Sequence, residues 1–276
     1  MDHPIGAFRK RGVLKEVDGI PLARKLRTAF STLEERGPAA AWSLLTEKAT
    51  AAARTLPGGL VRVGACAFRP SDEPTRRLLL RGEYEAPERI ATKRYIRRDI
   101  PVVELGASLG VVSCLVNRRL RNRKNHVVVE ANPALLPILA ENRDRNRCEF
   151  DIVHGAAGAE GSTIRFYMGS DALNSSSLAR TEKSVEVPVI SVAEIVKLRG
   201  FERCALVCDI EGAELNLLRA ELATLQGHVE MFIVEFHPAI NGQDSLEAAC
   251  LLLRKHGFHK MWQQRDTLVF RNTALV

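Results

Sequence analysis

The chain has 276 residues, 46% hydrophobic and 26% charged, with 40 Lys and Arg against 33 Asp and Glu for a net charge of +7. That profile belongs to a soluble globular protein with a substantial core, and it excludes disordered, fibrous and collagen-like chains. No apolar run approaches the roughly 18 to 20 residues that a membrane-spanning helix needs, and no apolar segment follows the polar, basic start from Met1 to Arg11, so a cytoplasmic location is expected.

From Gly19 to about Arg54 apolar residues recur at helical spacing (Ile20, Leu22, Leu26, Phe30, Leu33, then Trp42, Leu44, Leu45), with a break at Gly37-Pro38. The spacing predicts two helices joined by a turn. Leu60–Phe68 reads as a strand, paired across a turn at Pro70–Pro74 with a second short strand at Arg77–Leu80. Residues 1–81 are therefore expected to form a helical and hairpin extension to a domain spanning residues 82–276.

After Pro101 short apolar runs alternate with amphipathic helices, the pattern of an α/β fold built from βαβ units around a mainly parallel sheet. Strands are expected at Val102–Leu105, His126–Glu130, Phe150–His154, Cys204–Ile210 and Met231–Phe236. Helices are expected at Val111–Leu120, Leu135–Asn142, Leu215–Leu225 and Leu246–Lys255. Ile164–Met168 and Val185–Ile190 suggest an inserted hairpin, and Phe258–Trp262 with Thr267–Phe270 a closing antiparallel pair.

Six cysteines (Cys66, Cys114, Cys148, Cys204, Cys208, Cys250) lie scattered through apolar or mixed segments and read as reduced thiols, without zinc-site spacing. The excess positive charge is spread along runs such as Arg118–Lys124 and Glu141–Arg147, as solvated helix faces and helix C-termini are. With aromatics at 5%, no base-stacking platform is evident, and nucleic acid is not the expected partner.

The chemistry is concentrated at the ends of the expected strands. Val102–Gly110 is a strand running into a glycine turn and a helix, with the pattern E-x-G-x-x-x-G where a dinucleotide site would carry G-x-G-x-x-G. An acid at Glu104, two positions before Gly106, suits a ligand with a cationic amino group and no phosphate there; S-adenosylmethionine is such a ligand. Glu130 ends the next strand and can accept hydrogen bonds from the two hydroxyls of a ribose. Ala156 and Ala157 are small enough for an adenine ring to lie against the backbone.

The next strand ends in Asp209-Ile210-Glu211-Gly212-Ala213-Glu214, and the fifth in Glu235-Phe236-His237. Asp209 follows a buried strand and so needs a ligand or hydrogen-bond partner. His237 is a candidate base at neutral pH. Glu214 reads as a first-turn helix acid. Asp209, Glu211 and Glu235 could also hold a divalent cation through oxygen, although the reading requires no metal. The loop Gly169–Ser177 is polar and placed to close over an acceptor.

Gly82-Glu83-Tyr84-Glu85 with Glu88, Glu104–Gly110, Glu130–Pro133, Ala156-Ala157-Gly158, Val187-Pro188-Val189 and Asp209–Glu214 together resemble the FkbM-type methyltransferases, in the right order from Gly82 to Pro238. The chain carries Glu104 where the family commonly has Asp, and Ser108 where it commonly has Asn. The resemblance implies a class I methyltransferase fold, a Rossmann-like, mostly parallel sheet that binds S-adenosylmethionine and methylates a hydroxyl oxygen. The acceptor would be a glycan, a polyketide or another small natural product. Glu85, Glu104, Gly106, Ala107, Ser108, Gly110, Glu130, Ala131, Ala156, Ala157 and Asp209 would hold the cofactor, while Asp209, Glu211 and His237 would act in catalysis. An RNA or protein methyltransferase and an inactive cofactor-binding partner module are the alternatives, and a homo-oligomer is compatible with each.

Overall fold

The computed structural model describes residues 49–158, 162–167 and 184–275. The chain divides into two units, Met1–Arg54 and Thr55–Val276, and every candidate site residue lies in the second. Of the expected features, the two N-terminal helices up to residue 48 and the polar loop Gly169–Ser177 fall outside the described residues. Among the described residues no helix is long and apolar enough to cross a membrane.

The second unit opens on an antiparallel hairpin, β1 (Val61–Val63) with β2 (Cys66–Phe68). The single expected strand thus folds back on itself at Gly64, whose φ of 58° a glycine takes without penalty. The expected strand at Arg77–Leu80 is instead part of a helix, α1 (Glu73–Arg81). Its boundaries have local causes. Asp72 accepts a hydrogen bond from the Thr75 N–H at 2.8 Å, Pro74 sits in the first turn, and Gly82 closes the helix at φ 79°. A further helix, α2 (Ala86–Tyr95), starts from Glu85 and leads to the main sheet.

The chain then runs through β3 (Val102–Leu105), α3 (Val111–Asn117), β4 (His126–Glu130), α4 (Leu136–Arg145) and β5 (Asp151–His154). A three-stranded sheet follows, of β6 (Ala156–Ala157), β7 (Thr163–Tyr167) and β8 (Ser184–Ile190), in which β7 and β8 form the expected inserted hairpin. The main sheet resumes with α5 (Val192–Arg199), β9 (Cys204–Cys208), α6 (Glu214–His228) and β10 (Val229–Glu235). Two helices, α7 (Pro238–Asn241) and α8 (Gln243–Lys255), precede the hairpin β11 (Phe258–Gln264) and β12 (Thr267–Asn272).

The seven-stranded sheet has the order β11-β12-β10-β9-β3-β4-β5, parallel from β10 to β5 and antiparallel where β12 joins β10 and β11. This is the mostly parallel α/β sheet with a closing antiparallel pair that the alternating pattern predicts. Both faces of its central strands are buried, which is why β3, β4, β9 and β10 read as continuous apolar runs. Side chains alternate between the faces. Val103, Leu105, Leu206 and Phe232 pack toward α5, α6 and α8, whereas Val102, Val207 and Ile233 pack with Ala91 and Val116 of α2 and α3.

The small hairpin is fastened to α4 by two buried asparagines. The Asn146 amide accepts from the Ala67 N–H and donates to the Ala67 carbonyl, both at 2.9 Å. One turn earlier, the Asn142 amide accepts from the Arg69 N–H at 2.7 Å and donates to the carbonyls of Arg69 and Leu109. β3 lies between β9 and β4, so the chain leaves the sheet centre in one direction and resumes in the other. That reversal leaves a crevice at the carboxyl ends of β3 and β9, where ligands of open α/β sheets bind.

Candidate active site

A cavity of about 380 Å³ occupies that crevice, within the usual range for small-molecule sites. Of the sequence-predicted site residues, Glu85, Gly106, Ser108, Glu130, Ala131, Ala156, Ala157, Asp209, Glu211 and His237 all line it. Glu104, Ala107 and Gly110 do not. Gly110 starts α3 at φ 76° and Ala107 is buried beneath the turn. The Glu104 carboxylate sits one layer below the cavity, 2% exposed, where it accepts from Ser113 Oγ at 2.7 Å and meets His126 Nε2 at 3.2 Å.

The glycine turn is shaped by contact with the neighbouring strand. Gly106 has φ 80°, and a Cβ there would lie 1.6 Å from the Asp209 carbonyl oxygen. The end of β3 is therefore pressed flush against the end of β9, and only glycine fits. Glu130 ties this turn to its own. One of its oxygens accepts from the Ser108 N–H and the other from the Asn132 N–H, each at 2.7 Å. Tyr84, part of the Gly82–Glu85 segment but given no role by the sequence reading, is buried with its hydroxyl 2.8 Å from Ser108 Oγ.

Beyond β9 and β10 the acids converge on one imidazole. His237 Nδ1 lies 2.8 Å from Glu214 Oε1, so Nδ1 carries the hydrogen and donates it. The Glu214 oxygen also accepts from the Gly212 N–H at 3.0 Å, which leaves this side chain 1% exposed. Glu214 is thus a support that orients His237, beyond the first-turn acid its position suggests. Its role depends on tertiary contact across α6, which no local spacing reveals. His237 Nε2 faces Asp209 Oδ1 at 3.5 Å and Glu211 Oε2 at 3.4 Å. One ligand atom from each of Asp209, Glu211 and His237 falls within 4.8 Å of the others, so a divalent cation could be held there.

Seven carboxylates line the cavity: Glu83, Glu85, Glu88, Glu130, Asp209, Glu211 and Glu235. Burial, then the neighbouring Glu235 and Glu211, drives the Asp209 carboxyl well above its ordinary range. Burial and Glu88 do the same to Glu85, and burial with Glu88 lifts Glu235 to about 8. Burial raises Glu211 too, against the pull of His237. For His237 burial disfavours the charged ring, but the Glu214 hydrogen bond and the surrounding acids outweigh it and raise the ring to about 9. Oxygens of Glu85, Glu88 and Asp209 are buried without a hydrogen-bond partner. Such a cavity favours a cation, which relieves the mutual repulsion and partners the orphaned oxygens.

Two more residues at the cavity escaped the sequence reading. Phe166 of β7 closes one wall, and Arg265 stands in the turn between β11 and β12. The six cysteines are free thiols, five of them buried.

A curated relative, the hexuronic acid methyltransferase AglP of Haloferax volcanii, is 28% identical over 143 residues, 51% of this chain. The chain spans 57% of that protein's length. Among solved structures, Aeropyrum pernix fibrillarin with bound S-adenosyl-L-methionine is 10% identical over 67% of this chain and 73% of its own, with a TM-score of 0.41. Precorrin-6y C5,15-methyltransferase from Geobacter metallireducens is 13% identical over 66% and 83%, with a TM-score of 0.38. The profile of the methyltransferase FkbM domain matches residues 104–260. That match spans more than half the chain and includes the glycine turn, Glu130 and the Asp209–Glu214 segment, so the chain belongs to the FkbM methyltransferase family.

Proposed function

We propose that the cavity binds S-adenosylmethionine and directs its methyl group to a hydroxyl oxygen of a glycan or another small natural product. The observation that carries this reading is the ring of carboxylates, several with unpartnered buried oxygens, at the crevice of a methyltransferase-family sheet. When bound, the cofactor supplies an electrophilic methyl on a positively charged sulfur.

Glu130, at the tip of β4, would receive the ribose hydroxyls, Gly106 and Ser108 would border the cofactor, and Ala156 and Ala157 would offer a flat wall to the adenine. Glu85 and Asp209, with their unpartnered buried oxygens, would hold the cofactor's positive centres. Because transfer is an in-line displacement, these residues mainly hold donor and acceptor in line. Transfer would form the new C–O bond as the C–S bond breaks and would release the hydroxyl proton, which Glu211 or His237 would receive.

In the cofactor-free protein His237 is protonated at neutral pH. A cation bound among the same acids lowers its affinity for that proton and makes the ring available as a base. The hexuronic acid specificity in the relative's name supports a sugar acceptor. Calorimetric titration with S-adenosylmethionine tests the reading. We expect micromolar binding that Glu130→Ala weakens tenfold or more, about 1.4 kcal/mol, and no comparable binding of NAD. Absence of binding would remove the basis for the site.

A further inference from the structure

Arg265 is the single Lys or Arg among the described residues that line the cavity, whose other charged side chains, His237 apart, are seven carboxylates. A guanidinium beside seven acids would ordinarily pair with one of them. Among the described residues none comes within ion-pair distance of it. The residue is exposed, and the turn that carries it is held by backbone and side-chain contacts. Arg265 has φ 53°, its carbonyl accepts from Gln263 Nε2 at 3.2 Å, and the next carbonyl, Asp266, accepts from the Phe236 N–H at 2.9 Å. Thr267, at the start of β12, donates its hydroxyl to Glu88. The turn is therefore tied to the end of β10, between Glu235 and His237, and to the acid lining the cavity below.

The sheet order shows which end of the cavity this is. β12 lies four strands from β4, about 19 Å at the usual inter-strand spacing. The Arg265 end is thus remote from Glu130, with Asp209 and His237 between them. If Glu130 receives the ribose, the Arg265 end faces the acceptor.

We propose that Arg265 is an acceptor-recognition residue that takes a carboxylate, so that the acceptor is an acidic sugar whose carboxylate is gripped while a hydroxyl is presented near Asp209. This rests on the reading of the cavity as the methyl-transfer site. A planar guanidinium donates two parallel hydrogen bonds to a carboxylate, which fixes the orientation of the sugar as well as its charge.

The test is binding to the full chain saturated with S-adenosylhomocysteine, measured by ligand-observed NMR for methyl β-D-glucuronide, methyl β-D-glucoside and glucose 6-phosphate. The expected result is at least tenfold tighter binding of the glucuronide than of the glucoside. R265Q should reduce the glucuronide to the level of the glucoside and R265K should keep part of the preference, while affinity for S-adenosylhomocysteine stays within twofold in both. Equal binding of the two glycosides, binding of neither, a preference that survives R265Q, or a preference for the phosphate would each overturn the proposal. Failure of S-adenosylhomocysteine itself to bind would overturn the underlying site reading, a result distinct from a loaded protein that ignores the glucuronide.

Discussion

Replacing Gly106 by alanine separates two costs that the structure puts at one position. The residue holds φ 80°, which an alanine reaches at about 1 to 2 kcal/mol. The added methyl would lie 1.6 Å from the Asp209 carbonyl oxygen and 2.7 Å from its carbon, where real contacts stay above 3.0 Å. The obstacle is backbone of an adjacent strand end and cannot swing aside, so β3 and β9 must part. Overpacking of that kind adds about 1 to 3 kcal/mol, for a total near 3 kcal/mol. In a unit of this size that lowers Tm by roughly 6 to 12 °C. Gly58 supplies the control. Its φ is 71° but nothing lies within 4 Å of a methyl placed there, so Gly58→Ala carries the conformational cost alone, roughly 2 to 8 °C. Thermal melts followed by circular dichroism compare the two directly. A Gly106→Ala variant that melts with Gly58→Ala would refute the close approach of β3 to β9.

The cofactor-free protein should lose stability as pH rises from about 4.5 to about 9. Both raised groups act in the same direction: the contribution of Glu235 is complete below pH 4.5 and lost through about 8, that of His237 complete below 6.5 and lost through about 9. Calorimetric Tm should fall by at least ~3 °C across that window, the equivalent of ~1 kcal/mol; a flat or rising curve would contradict the acid cluster. Glu214→Gln keeps an oxygen for His237 Nδ1 but removes the charge, so an NMR titration of the ring should move down from about 9 by roughly one unit or more. A ring that still titrates near 9 would mean Glu214 does not support it. Methyl transfer should proceed in EDTA at its normal rate. Loss on chelation, restored by Mg²⁺ or Mn²⁺, would make Asp209, Glu211 and His237 metal ligands.

The centre of the fold was legible because burial on both faces writes itself into composition: Val102–Leu105 and His126–Glu130 match the observed strands residue for residue. Segments outside the sheet were harder. Leu78-Leu79-Leu80 is an apolar run that suits a strand or a helix, and the arbitration lay in Asp72, Pro74 and Gly82, which cap α1. At the cavity, residues attached directly to strand ends were readable in order along the chain. Glu104 looked equivalent to them, but pleating turned it away from the crevice into a bond with His126. Glu214 and Arg265 acquire their significance from contact with His237 and from a hairpin folded in from the far edge of the sheet, relations that no short window of sequence contains.

Asn142 and Asn146 bear on a different hazard. Ala67 and Arg69 stand two apart along and just beyond β2, so their backbone groups point away from β1 and present the outer edge of a two-stranded ribbon. An open edge of this kind invites another chain to add a strand. Here each donor and acceptor on that edge is already matched by a side-chain amide of α4, whose shape repeats the peptide group it binds. The asparagines thus act as a third strand without a backbone, closing the ribbon against self-association. Substituting either would expose that edge to pairing with a second copy.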